Sequence, residues 1–368
     1  MMTKKIRITG AALVAALWLA LCAAAWLSPA EDISESERRK LAQFPELTVE
    51  TLLNGKFMSE FEEYTLDQFP LRDNFRQLKA LFHYNVLGQK DNNDIILFGG
   101  YAAKQEYPLN ENSVNKALEK FRAIYEKYLA NTDTKIFAAV VPDKMEYLPK
   151  DSSYLTMDYD KLFHMVKDGM DYAQFVNLRD DLGLDFYYRT DTHWRQEKLL
   201  KAAGTLCEAL GMTIPKMEDY TLTALARPFY GVYYGQAALP MEPETLYYLD
   251  SELLQECTVT NFETGKTSQV YDMEKLTSRD LYDVFLSGAA ALLTIDNPNA
   301  ATDRELIVFR DSFGSSMIPL LLRDYAKVTV IDIRYVSPDF LGQIVEFNDQ
   351  DVLFLYSTLV LNQSSTLK

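Results

Sequence analysis

Cysteine and histidine are scarce in this chain. Its 368 residues include three of each, and His83, His164 and His193 stand far from one another and from Cys22, Cys207 and Cys257. The scatter leaves no spacing suited to a structural zinc site. Cys207 and Cys257 are able to pair in an oxidising compartment, but spacing alone does not decide it. Internal repeats and low-complexity tracts are lacking, so no repeat array is expected. Basic charge is also in deficit. Lys4, Lys5 and Arg7 take three of the 37 basic residues, leaving 34 against 53 acidic ones, a balance of −19 beyond residue 30. A surface of that sign repels nucleic acid and anionic headgroups. Long apolar runs are limited to one.

That run extends from Ile8 to Ala30 behind the cations Lys4, Lys5 and Arg7. It is long enough to cross a hydrocarbon core of roughly 30 Å as a helix, and the positive-inside bias leaves residues 1–7 as a cytoplasmic tail and exports the rest. A cleaved signal peptide is the rival, because Ala23-Ala24-Ala25 and Ser28-Pro29-Ala30 offer small residues at cleavage spacing. The length of the run favours an uncleaved, single-pass anchor over residues 8–30.

A hydrophobic content of 48%, with 12% aromatic residues, supplies a core and excludes a disordered chain. Residues 31–92 read as a charged helical extension, broken into two helices at Pro70. From residue 93 to 368, apolar strand-like runs alternate with amphipathic helical ones. IILFGG, KIFAAVVPDK, AQFVNL and DFYYRT read as strands, while SVNKALEKFRAIYEKYL, DYDKLFHMVKDGM and RQEKLLKAAGTLCEALG read as helices. This alternation predicts an α/β domain with a mostly parallel sheet. The tyrosine- and threonine-rich stretch at about 213–280 breaks the rhythm and reads as a β-rich insertion.

Two short segments carry chemistry. In ELIVFRDSFGSSMIPLLLRDY, residues 305–325, a buried-strand run ends at Asp311-Ser312 and a helix is predicted over Phe313 to Tyr325. The Ser312 hydroxyl then stands at the carboxyl end of a sheet strand, where open α/β sheets bind ligands, beside free helix amides that stabilise an oxyanion. Asp and Ser are also favoured helix caps, and Ser315 and Ser316 are weaker rivals. In YYRTDTHWRQEKLL, residues 187–200, an extended backbone projects Asp191 and His193 to one side. The carboxylate can hold one imidazole nitrogen and leave the other to take a serine proton. The bland alternative makes Asp191 a cap for a helix near Arg195 and His193 a packed side chain.

Taken together, these blocks resemble the DHHW protein family. TDTHW at 190–194 is similar to its signature, with Thr192 in the place of the first histidine. KLAQFPEL, NGKFMSEFEEYTLDQFPLRD, VVPDKMEYLP, RDSFGSSMIPLLLRDY and VTVIDIRY follow in the family's order. The family is in turn similar to the SGNH-hydrolase-like domains of alginate O-acetylation proteins. The resemblance implies an SGNH-hydrolase-like three-layer sandwich in which Ser312 is the nucleophile, His193 the general base and acid, and Asp191 the orienting acid. Arg310 departs from the usual glycine of the Gly-Asp-Ser block.

The resemblance further implies an extracytoplasmic O-acyltransferase, most simply an O-acetyltransferase, acting on a surface or exported polysaccharide without metal or cofactor. A multispanning membrane acyltransferase would supply its acyl groups. A carbohydrate acetylesterase uses the same triad, and a noncatalytic component binding glycan through PFYGVYYGQ is the rival of another class. The Ser312 amide is expected in the oxyanion hole. Gly288 either adds a second amide or is a turn glycine. Lys144 and Arg334 follow buried strands and either reach the same sheet edge or form salt bridges. Trp194 reads as core packing, and His83 and His164 carry no chemistry.

Overall fold

The computed structural model describes residues 2–34, 36–149 and 152–368. The cations Lys4 and Lys5 lie outside the described side chains. The amino-terminal helix Met2–Leu27 includes a 22-residue stretch, Ile6–Leu27, long and apolar enough to cross a membrane. Chain contacts resolve two units. One comprises Met1–Asn93 with Tyr234–Pro240, and the other comprises Asp94–Tyr233 with Met241–Lys368.

In the first unit, the helices Val49–Leu53, Lys56–Asp67 and Arg72–Asn85 follow one another. The last two are separated around Pro70, whose missing N–H and fixed φ end a helix. Phe44 packs edge-on against Phe57, Phe61 and Tyr64. Glu37 and Asp67 pair with Arg39 and Arg72.

In the second unit, eight strands form one sheet: β1 Ile136–Val141, β2 Gln174–Val176, β3 Thr258–Asn261, β4 Thr267–Ser268, β5 Leu292–Asp296, β6 Arg304–Arg310, β7 Tyr325–Ile331 and β8 Asp351–Ser357. Their order is β4-β3-β5-β7-β6-β8-β1-β2. The five strands from β7 to β2 are parallel, and β5, β3 and β4 extend them antiparallel. Side chains alternate between the two faces, as the twofold strand period requires. Phe137, Ala139, Val141, Leu306, Val308, Leu353 and Leu355 join one core layer. Ile136, Ala138, Val140, Ile307, Phe309, Val352 and Phe354 join the other.

The first layer is covered by the helix Leu200–Leu210 through Ala202, Ala203, Leu206 and Leu210. The second is covered by Glu111–Ile124, capped by Asn110, and by Tyr159–Gly169, capped by Asp158. A sheet buried on both faces needs the near-continuous apolar strands seen in the sequence. The result is an α/β three-layer sandwich.

Three sequence expectations are corrected. DFYYRT is not a strand: a 3₁₀ turn at Leu184–Phe186 leads to one antiparallel bridge between Tyr187 and Trp194, which closes the intervening residues into a tight loop. The run after Ser312 is helical only over Gly314–Met317, continues as a 3₁₀ turn over Ile318–Leu321, and has become strand β7 by Tyr325. Pro319 cannot donate the amide that α-helical continuation requires. The stretch at 213–280 is only partly an insertion. It forms a separate hairpin of Thr221–Phe229 with Glu244–Asp250, but its β3 and β4 belong to the main sheet.

Candidate active site

The strand β6 delivers Asp311 and Ser312 to the carboxyl edge of the parallel strands, where a turn immediately follows. Both Asp311 oxygens are engaged: one accepts the Phe313 amide at 3.0 Å and the other the Ser357 amide, at the end of β8, at 2.7 Å. The carboxylate thus fastens the turn to the neighbouring strand, and the Ser312 side chain is left free of capping duty. The short helix is entered through Phe313, with no side-chain cap.

The Ser312 hydroxyl lies 2.8 Å from His193 Nε2, and His193 Nδ1 lies 2.6 Å from Asp191 Oδ1. The first distance falls inside the ~3–4 Å reach of a nucleophile and its base. The pairing of Asp191 with His193 does not arise from strand alternation. Within the loop closed by Tyr187 and Trp194, the His193 amide also donates to Asp191 Oδ1 at 3.0 Å, and the Tyr188 amide donates to the His193 carbonyl at 3.1 Å. This is an Asx-type turn. Asp191 is fully buried and His193 is 7% exposed. With Asp191 accepting from Nδ1, the imidazole tautomer leaves Nε2 as the acceptor for the serine proton.

Residues outside the two motifs hold this geometry. Asp191 Oδ2 accepts the Val232 amide at 2.8 Å, and Gly231 donates to Thr190 Oγ1 at 3.0 Å. A Cβ on Gly231 would stand 2.3 Å from the Asp191 Cα, so only glycine lets the two backbones approach. Glu244 accepts from both the amide and the hydroxyl of Thr190, at 3.0 and 3.1 Å. The PFYGVYYGQ segment therefore spends backbone amides on the acid turn. Glycine spacing beside GVYYG was the available signal.

The rival serines are accounted for. Ser316 is fully buried, and its hydroxyl meets Trp194 Nε1 at 2.8 Å and the Tyr282 hydroxyl at 2.6 Å. Ser315 is buried as well. Trp194 is fully buried and packs edge-on against Phe313, so it is core rather than a sugar platform.

The weaker candidates have partners of their own. Gly288 donates its N–H to the Phe285 carbonyl at 3.2 Å. It closes a left-handed run, with φ of 52° at Leu286, 58° at Ser287 and 81° at Gly288, and fits the turn-glycine alternative. Arg334 grips Asp332 through Nε and a terminal nitrogen, the latter at 2.6 Å, in an ion pair. Lys144 is buried, donates to the carbonyls of Ala102, Tyr188 and Arg189, and lies 4.9 Å from the Tyr233 ring centre. Burial pulls its ammonium down to about 7, against the opposing pull of Asp191, Glu244 and Asp143. Arg310 is fully buried and donates to the Asp311 carbonyl at 3.4 Å and to the Gly288 carbonyl at 3.2 Å. Cys207 and Cys257 are free and buried, and burial pushes both thiols up to about 12.

Comparison with known proteins follows from this geometry. The sequence pattern of the DHHW protein family matches residues 150–331, a span that includes Asp191, His193 and Ser312. A DHHW family protein from Eubacterium siraeum has a similar structure, with a TM-score of 0.58 at 20% identity over 75% of this chain and 94% of that one. Bacillus cereus PatB1 with a sulfonyl adduct is similar at a TM-score of 0.56 and 16% identity, over 73% of this chain and 97% of that one. The O-acetyltransferase domain of Pseudomonas putida AlgJ gives a TM-score of 0.40 at 16% identity, over 68% of this chain and 84% of that one. No curated protein sequence matches. The α/β sandwich is thus a fold shared with the DHHW family protein and with PatB1.

Proposed function

From the likeness to the DHHW family, we propose that this protein is a serine O-acyltransferase, most simply an O-acetyltransferase, that acts outside the cytoplasm on a surface or exported polysaccharide. The observation that carries the reading is the unbroken relay from Asp191 through His193 to Ser312, with contacts of 2.6 and 2.8 Å. A hydroxyl required only as a helix cap would face an amide, and this one faces an imidazole.

The chemistry follows from the relay. Ser312 Oγ attacks the acyl carbonyl while His193 Nε2 takes its proton, and Asp191 stabilises the imidazolium that forms. The Ser312 N–H, which has no intramolecular acceptor among the described residues, donates to the oxyanion. Collapse of the tetrahedral intermediate expels the donor's alcohol, which takes the proton from His193, and leaves an acyl-serine. A sugar hydroxyl then gives its proton to His193 and attacks the acyl-serine. Collapse releases the new ester, and His193 returns the proton to Ser312 Oγ, regenerating the hydroxyl. Water in place of the sugar makes the same site an esterase. Supporting the reading, the Arg310 side chain packs along Gly314 and donates to the carbonyls of Asp311 and Gly288.

In this reading the apolar helix Ile6–Leu27 is an uncleaved anchor, and a multispanning membrane acyltransferase delivers acyl groups across the bilayer. A serine in this setting should also take sulfonyl reagents, as PatB1 carries a sulfonyl adduct. Phenylmethanesulfonyl fluoride is expected to add one sulfonyl group at Ser312, located by peptide mass, and His193→Ala should slow the addition. Acetyl release from an activated ester, followed with and without a candidate glycan, separates transfer from hydrolysis. Unchanged labelling in a folded Ser312→Ala protein removes the triad.

A further inference from the structure

The proposed base is covered by an aromatic ring. Tyr282, from the 3₁₀ turn Leu281–Val284, lies face to face with the His193 imidazole, with centroids 3.8 Å apart and planes 7° from parallel. Its hydroxyl is fixed by Ser316 at 2.6 Å, on the helix that follows Ser312, and Ser316 in turn accepts the indole N–H of Trp194, the neighbour of His193 in sequence. One hydroxyl therefore registers three elements: the base loop, the nucleophile helix and the turn that carries the ring. Phe313 closes a further side of the imidazole at 5.1 Å.

We infer that Tyr282 is a positioning residue that stabilises the imidazolium form of His193 through its ring face and thereby sets the pH at which the base works. Resting on the triad reading, this assigns a role to a residue outside the triad. A cation over an aromatic face is attracted by the ring's quadrupole, most strongly where water is excluded, and Tyr282 is only 4% exposed. Burial holds its phenol neutral, well above the ordinary value, so the ring presents a face and not a second charge. The charged groups around the pair are few. Asp191 bonds the imidazole itself, while Asp280 on the ring's own segment and Asp311 on the nucleophile turn act on Tyr282 from further away. Lys144 and Asp191 also act on one another. Tyr282→Leu and Tyr282→Phe leave all of these in place, so a difference between the two variants isolates the ring.

The test is a histidine NMR titration of the full-length protein, in which His83, His164 and His193 are the only imidazoles. Tyr282→Leu should lower the His193 midpoint by about one pH unit, whereas Tyr282→Phe, which keeps the ring, should leave it near the wild-type value. Ser316→Ala, a second route should the leucine variant misfold, frees the phenol anchor and should move the midpoint in the same direction by less. The acid limb of p-nitrophenyl acetate hydrolysis should follow the NMR midpoints. An unmoved His193 midpoint in folded Tyr282→Leu overturns the inference. Because the titration reads the imidazole directly, that result leaves the triad reading intact, and hydrolysis surviving in Ser312→Ala would overturn the triad reading instead.

Discussion

Single residues set the site's tolerances. Gly231→Ala places a methyl 2.3 Å from the Asp191 backbone, and a shift of about 1 Å in a catalytic group costs on the order of 10²-fold. Sulfonyl labelling and acyl transfer should fall by about that factor, with little change in far-UV circular dichroism. Asp191→Asn should be harsher, at about 10³–10⁴-fold, because the amide favours the wrong imidazole tautomer. Lys144 gives a pH signature. Its ammonium is drawn down to about 7 when folded and titrates near ~10.4 when unfolded. Between those values the unfolded chain holds the extra proton, so the stability due to this group rises with pH across the window and is lost as pH falls towards 7. Urea midpoints measured at pH 7 and 9 should therefore rise more steeply for wild type than for Lys144→Met.

At the scale of elements, Asp311 joins the turn after β6 to the end of β8 through the Phe313 and Ser357 amides. Asp311→Ala strands both buried donors, at about 1–3 kcal/mol each. The thermal midpoint should drop and Ser312 should label more slowly, whereas an exposed control such as Glu218→Ala should do neither. The elements also explain what could be read from sequence and what could not. The ends of β6 and of the DFYYRT run were legible because Asp-Ser and Asp-x-His interrupt apolar stretches at points where the chain must turn. Tyr282 and Glu244 are not legible, because each reaches the site from about 50–90 residues away and nothing local marks such a contact, while Gly231 is marked only by the glycine spacing of GVYYG. The helix after Ser312 was overread because its apolar residues run on through Pro319 into β7. The Asx turn at Asp191 reads as extended chain in the sequence, since Tyr187 and Tyr188 have the composition of a strand.

For the whole molecule, the apolar helix Ile6–Leu27 decides where the site can work. If it is an anchor, the protein should stay with membranes after carbonate washing and keep its initial residues. Amino-terminal sequencing that begins at Trp26 or Glu31 would show a removed signal. The sheet order has a separate consequence, for the way the chain is made. β8, which follows both β1 and β6 in the chain, lies between them in the middle of the parallel array. Until residues 351–357 have emerged, both neighbours present bare edges that invite pairing with other chains. The pairing of β1 with β8 spans more than 200 residues of chain, and such distant closures are slow. Until β8 docks between them, the core of this unit stays open, and a chain caught in that state offers two pairing edges to its neighbours.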